Sequence, residues 1–234
     1  VTLLLVLFLR IIMIADLIPV KPVQKQFHAW KDWPLQMKEK TKGLPVVFNS
    51  SYQLASQYQF HTGQIAYSLN YYKGRKNQFN FIPVNQYILG YPAWFIDSYN
   101  LKDFKDTIQT PAGTFGYRYD SCFVSFPRME FMTAKNNYRV SKGLPLSLRG
   151  KMRMYYRDGM FIGNTNMDMK DTIRIAVFNK NGWVKDFITN TRLKDVNADL
   201  TFSIEIDPAL APGHYELLFA VNCGFYPPTA NSKK

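Results

Sequence analysis

The chain has 234 residues, 47% of them apolar, enough to bury a sizeable core in one or two domains and too many for a disordered segment. Its 29 lysines and arginines against 17 acidic residues leave a formal charge of +12, which draws anionic partners such as phospholipid headgroups or phosphorylated carriers. The charges are spread thinly from Lys21 to Lys234 and not gathered on one run, which argues against a nucleic-acid binder, while 15 Tyr, 18 Phe and 4 Trp suit sugar faces and bilayer interfaces as well as cores.

Residues 1–19, VTLLLVLFLRIIMIADLIP, are apolar except for Thr2, Arg10 and Asp16. A helix of about 19 residues spans roughly 28 Å, close to the hydrocarbon thickness of a bilayer, so a transmembrane helix is expected here. The segment has neither the basic start nor the small-residue cleavage site of a signal peptide, and it reads as the last span of a longer polytopic chain. A buried core helix of a soluble protein is the alternative. Within a membrane Arg10 is costly unless it faces other helices, water or an anionic partner. Residues 20–43 follow as an interfacial linker, in which Trp30 and Trp33 alternate with Lys21, Lys25 and Lys31, the mixture found at headgroup level.

A buried strand is expected over Leu44 to Phe48 and a helix over Ser51 to Phe60, with Leu54, Ala55 and Tyr58 on one face, Ser50 or Ser51 as N-cap and Gly63 as the stop. A second strand signal stands at QIAYSLNYY, with further apolar runs at AWFIDSY and SCFVSF, which makes residues 44–143 a small α/β domain. From residue 144 to 229 the runs SLRGKMRMYYRD, TIRIAVFN, WVKDFITN, LTFSIEI and HYELLFAVN are separated by turn signals at 157–159, 179–182 and 211–213, the pattern of an antiparallel β-sandwich. Residues 230–234 are expected to be a loose tail. The expected fold class is therefore α+β: one N-terminal transmembrane helix, a small α/β domain and a C-terminal antiparallel β-sandwich.

Little in the sequence suggests catalysis within these residues. No GxSxG turn offers a nucleophile, and no glycine-rich phosphate loop suits a nucleotide. His28, His61 and His214 have no metal-ligand spacing, and Cys122 and Cys223 form no CxxC. The run NTNMDMKD over 164–171 imitates the start of a calcium loop but lacks the glycine at its sixth position and the glutamate at its twelfth, so a polar turn is expected. Neither a metal nor a cofactor is expected, and no catalytic residue is assigned. The strongest constellation is PVVFNSSYQLASQYQFHTG, residues 45–63, where a strand feeds a helix N-terminus whose outward N–H groups suit anionic or hydroxyl-rich ligands. Its polar neighbours are Tyr52, Gln53, Tyr58, His61 and Thr62, followed by Arg75, Asn77 and Gln78. A helix cap with surface amides is the plainer reading of the same residues.

The order of an apolar helix, a basic Trp-containing linker, LPVVFNSSYQLASQYQFHTG, SLN, RKNQFNF and APGHYELLFAVNCGFYPPTANS resembles the C-terminal end of Bacteroidetes membrane glycosyltransferases of the family 39 type, related to protein O-mannosyltransferases and to the aminoarabinose transferase of lipid A. The likeness covers nearly the whole chain. It implies a polytopic enzyme of the inner (cytoplasmic) membrane that moves a sugar from a polyprenyl-phosphate carrier to a lipid, glycan or protein acceptor. On that reading residues 44–229 lie in the periplasm, against the cytoplasmic cue of the lysines after Pro19. They cap the membrane active site, and the catalytic acid sits in an earlier loop of the same chain. The expected substrate-binding rim is Tyr52, Gln53, Tyr58, His61, Arg75, Asn77 and Gln78, with Arg10 and Lys25 toward the carrier phosphate. The expected partners are the lipid-linked sugar, membrane lipid and the remainder of the polytopic chain. The rival expectation is a non-enzymatic, membrane-tethered periplasmic module that binds carbohydrate or protein.

Overall fold

The computed structural model describes residues 2–15, 17, 30, 32–71, 76–82, 87–126, 129–141, 143–154, 171–196, 199–207 and 209–230. Their fold is mixed α+β and rich in sheet. It divides into two compact units, the first formed by Val1–Ser68 with Gly90–Phe123 and the second by Leu69–Leu89 with Val124–Lys234.

In the first unit, helix α1 (Thr2–Ile14) is apolar on every side except for Thr2 and Arg10, and none of its residues is buried. Its 13 residues extend only about 20 Å, and no described helix is long and apolar enough to cross a membrane. The span expected over 1–19 is thus not supported by the described residues, in which helical hydrogen bonding reaches Ala15 and Leu17, bonded back to Ile11 and Ile12.

Helix α2 (Asp32–Thr41) overturns the interfacial reading of Trp33. Trp33, Met37 and Thr41 recur every fourth residue on one helix face, and all three are fully buried. Asp32 in the first turn and Lys38 and Lys40 in the last complement the helix dipole. The Trp33 ring lies 5.9 Å from Phe48, 6.3 Å from Tyr58 and 5.3 Å from Phe115. Burying a ring of that size is worth about 4–6 kcal/mol in apolar area, which outweighs what a headgroup position offers an indole.

Those three aromatic partners come from β1 (Val46–Asn49), helix α3 (Tyr52–Thr62) and a later strand of one five-stranded sheet. The sheet also contains β2 (Ala66–Leu69), β3 (Ala93–Asp97), β4 (Asp106–Thr110) and β5 (Gly113–Asp120), in the order β2-β1-β3-β5-β4. Strand β1 runs parallel to β3 with Val46 opposite Trp94 and Phe48 opposite Ile96, whereas β3 and β4 each pair antiparallel with β5. Helix α3 starts and stops as its sequence suggests. Ser51 Oγ accepts from the Leu54 N–H at 3.4 Å, Gly63 adopts a left-handed φ of 67°, and Ala55, Tyr58 and Thr62 form the buried face. The apolar run SCFVSF is irregular. Phe123 anchors it by exchanging backbone bonds with Gly90 and Tyr91 and by burying its ring against Tyr67.

The second unit holds two antiparallel sheets. One consists of β6 (Met129–Thr133), β7 (Leu146–Met154) and β10 (Thr201–Ile206), ordered β10-β7-β6. The other consists of β8 (Thr172–Asn179), β9 (Gly182–Arg192), β11 (Glu216–Cys223) and β12 (Tyr226–Ala230), ordered β12-β11-β8-β9. Alternation along β10 turns Phe202, Ile204 and Ile206 inward. The rings of Phe131, Phe202 and Phe219, from β6, β10 and β11, meet at 5.3–5.6 Å and join the inner faces of the two sheets. Gly150 of β7 makes this possible, because a Cβ there would lie 2.1 Å from the Met132 carbonyl oxygen and 2.9 Å from the Phe202 ring. Strand β6 pairs with β7, Phe131 opposite Met152, so residues 129–133 belong to this unit although they fall within the expected 44–143 region. The described part of the C-terminal end is ordered sheet: β12 pairs with β11, Val221 opposite Thr229. Residues 231–234 and the turn expected at 157–159 lie outside the described residues.

Candidate functional site

From the end of β1 the chain passes through α3 to β2 on one side of β1, while β3 lies on the other side. Reversal of strand order at two parallel neighbours leaves a crevice beyond their carboxyl ends, the place where open α/β sheets bind ligands. The last residues of these two strands are Asn49 and Asp97. The parallel register that aligns Phe48 with Ile96 brings them side by side, and Asn49 Nδ2 donates to Asp97 Oδ2 at 2.6 Å.

Asp97 is only 3% exposed, and its other oxygen is equally engaged. Oδ1 accepts the backbone N–H of Tyr99 at 2.7 Å and that of Asn100 at 3.3 Å, which folds the chain after β3 into a tight turn. A carboxylate with both oxygens held by donors of its own chain is a positioning group. Its effect on Asn49 is specific: the carboxylate accepts only, so the amide must present its NH2 to Asp97 and turn its carbonyl oxygen Oδ1 away. The next residue, Ser50, adopts φ +47°, in the left-handed region, at a cost of roughly 1–3 kcal/mol for a residue with a Cβ. Helix α3 then begins, with Tyr52 and Gln53 exposed in its first turn. Across the crevice Tyr99 and Asn100 are exposed on the Asp97 turn. The site therefore offers an oriented amide carbonyl, the first N–H groups of α3, two phenols and two further amides. That set recognises hydroxyl groups by hydrogen bonding and aromatic contact.

Of the residues expected from sequence, Tyr52 and Gln53 stand at this site. Tyr58 does not: it is fully buried under α3 and shares a hydrogen bond with Thr41 Oγ1 at 3.1 Å. Burial raises its phenol pKa and the Thr41 bond works against that rise, as befits a core tyrosine. His61 occupies the last turn of α3, nine positions on and about 13 Å along the axis from Tyr52, edge-on to Phe60 at 5.0 Å. Asn77 and Gln78 belong to the second unit. There Asn77 Oδ1 accepts from Phe79 N at 3.0 Å, Asn77 Nδ2 donates to Asn70 Oδ1 at 2.9 Å, and Asn70 Nδ2 donates to Asn80 Oδ1 at 2.6 Å, a closed set of amides that pins a short 3-10 turn. Arg75 and Lys25 lie outside the described residues, and Arg10 is exposed on α1. Asp97, Tyr99 and Asn100 escaped the sequence reading. Their one signal is an acidic residue closing the apolar strand AWFID, followed by turn-forming polar residues.

Residues 164–170 of the calcium-loop imitation are also outside the described residues. Asp171, which ends it, is 4% exposed and ion-paired with Arg192 Nε at 2.7 Å. Among the described residues no three His, Cys, Asp or Glu side chains gather in a metal-sized cluster. Cys122 and Cys223 are thiols. No family model, no curated protein and no solved structure matches the chain.

Proposed function

We propose that this chain is the extracytoplasmic recognition portion of a membrane glycosyltransferase that moves a sugar from a polyprenyl-phosphate carrier to a lipid, glycan or protein acceptor. The first unit holds hydroxyl groups of the sugar at the carboxyl ends of β1 and β3. The observation that carries this reading is the Asn49–Asp97 pair at the switch point of the sheet, a buried polar anchor that aims an amide carbonyl outward beside a strained serine and a helix N-terminus. The reaction class comes from the likeness of residues 44–63 and 75–81 to family 39 transferases. Bond making and breaking belong to another part of the same polytopic chain.

The binding rim is smaller than the sequence suggests and is made of Asn49, Tyr52, Gln53, Tyr99 and Asn100. Helix α1 supports a membrane setting, since a helix without one buried residue and with an apolar surface nearly all round is stable against lipid or against other apolar helices, not in water. Arg10, the single charge on α1, is then available to a carrier phosphate.

Tyr52 and Gln53 are exposed, so replacing both with Ala leaves the fold intact. In the complete membrane enzyme, Tyr52→Ala with Gln53→Ala is expected to lower sugar transfer from a polyprenyl-phosphate donor by about tenfold or more, equivalent to about 1.4 kcal/mol of binding, at unchanged expression. Transfer at the parental rate removes this crevice from the sugar path.

A further inference from the structure

Strand β9 is an edge strand of the second unit's larger sheet and carries a half-exposed tryptophan, Trp183, away from the first unit's crevice. With a side-chain period of two, residues 183 and 186 of one strand point to opposite faces. The pairing of β8 with β9 shifts register between Val177 and Phe178, so that Trp183 lies opposite Phe178 and Asp186 opposite Ala176. The extra β9 residue turns both side chains to the same face, the kind of re-aiming that bulges accomplish beside binding sites.

The consequence is a hydrogen bond from Trp183 Nε1 to Asp186 Oδ1 at 2.8 Å. Asp186 Oδ2 in turn accepts from Arg174 Nη1 at 3.3 Å, on the neighbouring strand. Arg174 Nε is buried and has no acceptor among the described residues. The indole is thereby locked in orientation by its own N–H while 51% of the residue stays exposed. Farther along the same face Ile188, opposite Arg174, is 64% exposed. The exposed part of the ring is thus held in one orientation, and much of its immobilisation cost is met before any ligand arrives.

We infer that Trp183, Asp186 and Arg174 form a glycan-binding platform, on which a pyranose ring lays its C–H face against the indole and its hydroxyls meet the carboxylate and guanidinium. The choice of ligand follows from the chemistry at the ring's edge. A purely apolar side chain would cover the Asp186–Arg174 ion pair without hydrogen-bonding to it, and Arg174, already paired with Asp186, leaves no net positive charge for a phosphate. A sugar has one apolar face and a rim of groups that both donate and accept, which matches an aromatic plane bordered by one acceptor and one donor. The platform lies in the second unit and stands or falls independently of the crevice at Asn49 and Asp97.

The test is titration of the full chain with glucose-, mannose- and galactose-based oligosaccharides, read by heat and by tryptophan emission. At least one series is expected to bind in the millimolar range or tighter, with Trp183→Ala weakening it by about tenfold or more, Trp183→Phe retaining part of it, and Tyr52→Ala with Gln53→Ala leaving it unchanged. Parental melting temperature in each variant separates lost binding from lost folding. Absence of binding by all three series, binding by Trp183→Ala equal to the parent, or tighter binding of a proline-rich peptide to the same tryptophan overturns the assignment.

Discussion

Burial fixes the protonation of Cys223 and with it a share of the stability at alkaline pH. Its thiol is pushed up to about 12 from an ordinary value of 9.0, chiefly by desolvation, against hydrogen bonds from the Phe126 backbone and from Thr229 that favour the thiolate. Between those two pH values the unfolded chain releases this proton and the folded chain keeps it, so the unfolded state binds fewer protons and unfolding becomes easier as pH rises. The stability of the parent over Cys223→Ala is therefore expected to be constant below about pH 9 and to decline above it by up to about 1.4 kcal/mol per pH unit. Urea unfolding of both proteins at neutral pH and at about pH 10.5 measures it, and an equal difference at the two pH values rejects it. Such residues mark the limit of what can be read one position at a time. Cys223 looks no different in sequence from Cys122, which is half-buried. Asp97 becomes a site residue only through Asn49, 48 positions away, and that meeting depends on a parallel register no local pattern encodes.

At the level of elements, the legible ones are those whose burial is written in their period. Helix α3, with its Ser51 cap and Gly63 stop, and strands β8 and β10, with regular alternation, lie where the sequence puts them. The illegible ones are polar or broken. Strand β4 is mostly exposed, so DTIQT has no apolar face to reveal it. Strand β12 contains Pro227 and Pro228, which read as loop but are tolerated on the edge of a sheet. Helix α2 hides a buried face among lysines, and its Trp33 imitates an interfacial anchor because tryptophan suits both places. The difference between the two roles is large in energy. Trp33→Ala removes a ring packed on Phe48, Tyr58 and Phe115 and is expected to destabilise the first unit by about 3–5 kcal/mol. Denaturant unfolding followed by circular dichroism measures the loss, and a change below about 1 kcal/mol restores Trp33 to the membrane interface.

For the molecule as a whole, the exposed apolar surface of α1 sets the question of where the chain resides. Leu3, Leu4, Leu5, Leu7, Phe8, Leu9, Ile11 and Ile14 are each at least half exposed, and Arg10 is the one charge among them. Because no residue of α1 is buried, removing this helix takes nothing from either core, and the melting temperature of the remainder is expected to match that of the parent. The same deletion is expected to abolish flotation with phospholipid vesicles, since about 25 cal/mol for each Å2 of apolar surface transferred from water to lipid resides in this helix. Charge is expected to modulate that proposed attachment. With Arg10 at the headgroups, vesicles containing anionic lipid are expected to hold the parent more tightly than zwitterionic ones, and Arg10→Ala to weaken that preference by about 1 kcal/mol, roughly fivefold in partition coefficient. Raising salt to about 1 M shrinks the screening length to about 3 Å and removes the preference while leaving the apolar attachment in place. Vesicle-free solubility of the parent, or a large fall in melting temperature on deleting the helix, reassigns α1 to the interior of the protein and detaches the chain from the membrane altogether.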